Sequence, residues 1–90
     1  MSYPNLTKFL DQINWMCQFT KQDPILMENI DAKVAKDLYH RIDGDLSPEN
    51  LCCDGELPPA QVRVKERMLR GAARELEQMG FGRPDGLYCL

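Results

Sequence analysis

Ninety residues with a net charge of −3, a sequence pI of about 5.0 and a mean hydropathy of −0.45 suffice for one domain, 1–90. The apolar share of 43% and the charged share of 28% exclude a chain that is disordered throughout. The acidic balance argues against a nucleic-acid partner, because such binders need a positive excess to displace counterions. No apolar run nears the roughly 20 residues that cross a bilayer, so no membrane role is expected. The start, Met1-Ser2-Tyr3-Pro4, lacks the basic and apolar regions of a signal peptide. The chain is expected to stay in the cytoplasm that made it, where Cys17, Cys52, Cys53 and Cys89 remain thiols.

Apolar residues at Leu6, Phe9, Leu10, Ile13, Met16 and Cys17 recur at helical spacing and predict a first helix from about Leu6 to Lys21. Trp15 and Phe19 fall on its opposite side, beside Lys8, Asp11 and Gln12. A second helix begins either at Asp23-Pro24 or after Asp31, with a stripe of Met27, Ile30, Val34, Leu38 and Ile42. Ala32 and Ala35 allow close approach, and Asp43-Gly44 is expected to end the helix, its glycine left-handed. Asp45 to Pro58 reads as a long polar connection with a short helical turn at Ser47-Pro48, a second turn at Asp54-Gly55, and Leu46, Leu51 and Leu57 as pins. The third helix runs from about Pro59 to Met79, with Val62, Leu69, Ala72, Ala73, Leu76 and Met79 inward, and Gly80 ends it. The tail turns at Pro84-Asp85-Gly86, and Phe81, Leu87, Tyr88 and Leu90 can fold back onto Trp15 and Phe19. The expected fold is all-α: a compact three-helix bundle with a long acidic loop between helices 2 and 3.

Charge is divided along the chain. Residues 1–56 carry five basic and ten acidic side chains, net −5, and residues 57–90 carry six and four, net +2. Within the third helix Arg63, Arg67, Arg70 and Arg74 are spaced four, three and four apart, which puts them on one face. Arginine's planar fork suits bidentate contact with carboxylate or phosphate, so the face reads as a ridge for an acidic partner or a small anionic ligand. The ordinary alternative is a solvated helix back, neutralised by Glu66 and Glu77. Trp15 and Phe19 are either covered by the tail or exposed to a partner or a second copy, as a homodimer or higher oligomer, since aromatic anchors dominate interface energies.

Other chemistries find little support. Asp43, Asp45, Glu49, Asp54 and Glu56 suggest a calcium loop, but Pro48 stands where the EF-hand requires glycine and Asp54 where it requires glutamate. Caps and turns account for these acids, and Asp45, Glu49, Asp54 and Glu56 remain candidates for contact with a basic partner surface. Cys52-Cys53 lacks the spacing of a zinc or redox pair, so the cysteines are expected as small packed residues and no metal or cofactor is called for. His40 is the sole histidine, Ser2 and Ser47 are the only serines, and no phosphate-cradling glycine loop occurs. No catalytic residue is assigned, and the chain is expected to bind rather than catalyse.

The stretch Lys36 to Glu56, KDLYHRIDGDLSPENLCCDGE, places Asp-Leu-Tyr before a glycine turn, then Leu-Ser-Pro-Glu-Asn-Leu and Cys-Asp-Gly-Glu-Leu ahead of a basic helix. It resembles a segment of small accessory proteins of tailed bacteriophages and prophages, over about a quarter of the chain. The family brings no catalytic motif and no common activity, so no residue's role is carried over. The resemblance implies a phage-type interaction protein that binds and modulates or inhibits a bacterial host protein or complex, including defence complexes as an anti-CRISPR-like protein does. Two alternatives remain open: a helical oligomer that sequesters a signalling nucleotide, with Tyr39 or Trp15 stacked on its base, and a virion assembly or structural role.

Overall fold

The computed structural model describes residues 2–51, 59–88 and 90, and these are helical with no strand among them. Helix α1 spans Pro4–Thr20, a 3-10 turn Met27–Asn29, α2 Ala32–Asp45, the single turn α3 Pro48–Leu51, and α4 Pro59–Gln78. Cys52, Cys53, Asp54, Gly55, Glu56, Leu57 and Cys89 lie outside the described residues.

Helix α4 carries the packing. Met68, Leu69, Ala72, Ala73 and Leu76 bury one side of it against Leu6, Phe9, Leu10, Ile13 and Cys17 of α1, and against Ala35, Leu38, Tyr39 and Ile42 of α2. Each fully buried leucine, such as Leu38 or Leu76, contributes about 1.5–3 kcal/mol of transfer free energy. Helices α1 and α4 run antiparallel: Leu6 meets Glu75 at one end, and Gln12 meets Met68 further along.

Local chemistry sets the helix ends. Asp31 caps α2, its Oδ1 accepting the Val34 N–H at 2.9 Å, so the helix starts at Ala32 and not at Pro24. Met27 and Ile30, expected on the α2 stripe, instead lie in the 3-10 turn and at its end, half-buried against the core. Asn14 holds the incoming chain: its side chain accepts the Ile25 N–H at 2.7 Å and donates to the Ile25 carbonyl at 2.8 Å. The α1 C-cap, Lys21, is left-handed with φ 57°, a conformation glycine adopts at less cost.

Gly44 does not end α2. The helix runs on to Asp45 because buried Leu46 donates its N–H to the Ile42 carbonyl and holds the last turn. The expected loop is thereby shortened: Asp45 is helical, and Asn50 of α3 donates to the Gly44 carbonyl at 2.6 Å. The end of α4 is a Schellman motif. Gly80, with φ 103°, donates to Glu77, and Phe81 donates to Leu76 at 3.1 Å. The tail then packs Phe81, Leu87 and Leu90 on the core, while the Tyr39 hydroxyl donates to the Phe81 carbonyl at 2.5 Å. This route leaves Trp15 and Phe19 uncovered, contrary to the expected fold-back, and Tyr88 is 95% exposed. Met16, expected inside, is also exposed.

Candidate functional site

The arginine face rests on a close approach between two helices. Where Gly71 stands on α4, a Cβ would run into the amide nitrogen and Cγ of the Asn5 side chain. The missing side chain therefore leaves room for Asn5 against α4. One turn further along, Glu75 is buried, and its carboxylate accepts the N–H groups of Asn5 at 3.3 Å and Leu6 at 3.1 Å. Tyr3, at the N-cap of α1, offers no side-chain cap, so a residue of α4 satisfies the orphan donors that open α1. A carboxylate also suits the positive end of that helix dipole. Sequence reading misses this pairing because its members are 69 and 70 positions apart.

On this junction Arg63, Arg67, Arg70 and Arg74 line one open depression of about 490 Å³ together with Asn5, Glu66 and Gly71. The structure thus brings together all four arginines that the sequence singled out, and all four are exposed. Glu66 pairs with Arg70 at 3.0 Å. Glu77, expected to neutralise the ridge, pairs instead with Arg83 of the tail. Among the described residues Arg63, Arg67 and Arg74 have no carboxylate partner.

A second depression, of about 780 Å³, adjoins the first and shares Asn5 and Arg67 with it. It adds Lys8, Asp11 and Gln12 from α1 and Val64, Lys65 and Met68 from α4. Lys8 and Lys65 widen the basic surface beyond the four arginines, and Val64, itself 70% exposed, adds an apolar side chain to it. The signal for Lys65 lay in the sequence, but only the antiparallel pairing of α1 and α4 shows that it borders Lys8.

Trp15 and Phe19 pack edge to face with centroids 5.0 Å apart and are 62% and 65% exposed. Trp15 and Met16 share a shallow dip with Asp11 and Gln12, and those two also line the basic depression. The aromatic pair therefore sits at the end of the same side of the molecule. The candidate acids are not gathered there. Asp45 lines a different hollow with Arg41, Thr20 and Gln22, Glu49 is exposed on α3, and Asp54 and Glu56 lie outside the described residues.

Tyr39 is fully buried. Burial pushes its phenol from 10.0 up to about 12, aided by the Glu77 carboxylate and opposed by Arg83. It is not available to stack on a base. His40 beside it is exposed. Among the described residues no three histidine, cysteine, aspartate or glutamate side chains gather as metal ligands, and no helix is long and apolar enough to cross a membrane. Comparison with protein-family models, with curated proteins and with solved structures finds no match for this chain.

Proposed function

We propose that this chain is a non-enzymatic interaction protein that docks its α4 arginine face onto an acidic surface of a bacterial host protein and modulates or inhibits it. The observation that carries the reading is the grouping of Arg63, Arg67, Arg70 and Arg74 in one depression, where Glu66 is the one acid among the described lining residues. A net-acidic chain that sets six of its eleven basic residues around two adjoining depressions is matched there to a partner of opposite sign, which speeds encounter and fixes orientation. Trp15 and Phe19 supply the aromatic anchor that such an interface uses for affinity. The scaffold is read as a three-helix bundle of α1, α2 and α4, with the acidic connection from Asp45 to Glu56 as a second charged surface. The phage-type origin and an anti-defence role rest on the resemblance of Lys36–Glu56, and a cytoplasmic site of action follows from them.

The nucleotide-sequestering alternative has the anion site in its favour, since a depression of about 490 Å³ falls within the usual size of ligand pockets. It loses Tyr39 as a stacking platform, and the arginine depression contains no aromatic residue. Native mass spectrometry of the protein purified gently from bacterial cells separates the two. The expected result is a complex with a second protein that dissociates as salt is raised. An added mass equal to a nucleotide, surviving in the folded protein, would overturn the docking reading.

A further inference from the structure

We infer that the groove between α1 and α4 receives an acidic amphipathic helix of the partner. This rests on the arginine-face reading above and specifies the shape of what binds there. The arginines Arg63, Arg67, Arg70 and Arg74 form one wall. Helix α1 forms the other, with Lys8 and Gln12. Between them lie Val64, 70% exposed, and Met68, whose sulfur accepts a contact from Gln12 Nε2 at 3.9 Å. Asn5 and Arg67 stand where the two depressions meet.

Length and periodicity suit a helix. From Gln61 to Arg74 the groove follows α4 for about 20 Å at 1.5 Å per residue, the span of roughly fourteen residues, or four turns. A helix laid along it repeats at the same interval as α4, so acids spaced four, three and four apart meet the arginines in register. The flank of such a helix then sets apolar side chains on Val64 and Met68, the arrangement of helix-in-groove recognition. Charge complementarity decides the sign of the occupant: among the described residues the two depressions are lined by six basic side chains and by two acids, Asp11 and the paired Glu66. Protein fits better than nucleic acid, because a phosphate backbone has no use for the exposed Val64.

The test uses a synthetic helical peptide of about fourteen residues with glutamates spaced to mirror the arginines and leucines along one flank of that face. Its affinity is measured by fluorescence anisotropy for the wild-type chain, for Val64→Glu and for Arg67→Glu/Arg74→Glu, with circular dichroism to confirm folding. Both variants are expected to weaken binding by about tenfold or more. Loss with the arginine variant but full affinity in Val64→Glu overturns the groove and leaves the arginine face standing. Equal binding of a proline-broken peptide of the same composition, or of a single-stranded oligonucleotide, overturns the helical occupant. No binding of the peptide at low salt overturns the inference itself, while the arginine-face reading stands or falls on the native complex.

Discussion

Glu75 is the residue whose removal reaches furthest. Its carboxylate is the cap of a helix to which it does not belong, accepting from Asn5 and Leu6 within the buried junction of α1 and α4. Glu75→Ala leaves two N–H groups without partners and is expected to cost about 1–3 kcal/mol, read as a fall in the urea midpoint. Glu75→Gln keeps an acceptor and should lose less. Equal stability of Glu75→Ala and wild type would mean that water replaces the carboxylate without penalty. Tyr39 makes a second prediction, in pH. The folded state holds the phenol proton up to about 12, while the unfolded chain releases it near 10.0. The stability that this shift represents is therefore intact below pH 10 and is lost as pH rises through 12. Tyr39→Phe is expected to give up about 1 kcal/mol near neutrality, with the bond to Phe81, yet to show a shallower alkaline decline than wild type in urea unfolding. Parallel decline in the two proteins would remove Tyr39 from the account.

At the level of helices, Gly71 forgoes about 0.5–1 kcal/mol of helix propensity relative to alanine and leaves room for the Asn5 side chain. A Cβ there meets chiefly the amide end of Asn5, which can turn aside, so Gly71→Ala should shift the urea-unfolding free energy by no more than about 1 kcal/mol in either direction. Asn5→Ala removes the amide that the new Cβ would meet, so Gly71→Ala should be more favourable in that background than in wild type. Strict additivity of the two substitutions would contradict the contact. The same junction shows which parts of the structure are legible in sequence. Ser47-Pro48 and Gly80 act on backbone groups within a few residues, so their turns read directly, while the Asp31 cap was one of two starts that the sequence left open. The arginine spacing reads for the same reason, since a helix fixes its own faces. Glu75 and Asn14 act on backbone groups far along the chain or across a loop, and their chemistry is indistinguishable in sequence from an exposed polar residue. Gly44 misled in the opposite direction: glycine next to aspartate signals a stop, but Leu46 had enough apolar surface to bury for the helix to continue. The tail misled too, because Phe81 was captured by Tyr39 before it reached Trp15.

The whole molecule is an acidic chain with a basic side. Four arginines, Lys8 and Lys65 border the joined depressions, and an exposed aromatic pair lies at one end. Large exposed aromatics are costly to leave in water on a chain this small, and an interface is the usual reason for keeping them. The fold and the arginine face come from periodicity and local capping. The joining of that face to Val64, Lys8 and Trp15 comes from the antiparallel seating of α1 on α4, which no local pattern encodes. An arginine face that holds a protein partner is tested most directly by partner retention in wild type and in Arg67→Glu/Arg74→Glu, each purified from the same bacterial host. Arg67 and Arg74 are exposed, so the melting temperatures should agree within a few degrees. A partner is expected to co-purify with the wild-type chain and to be lost from the charge-reversed one. The same partner, held as tightly by the charge-reversed protein, would contradict it.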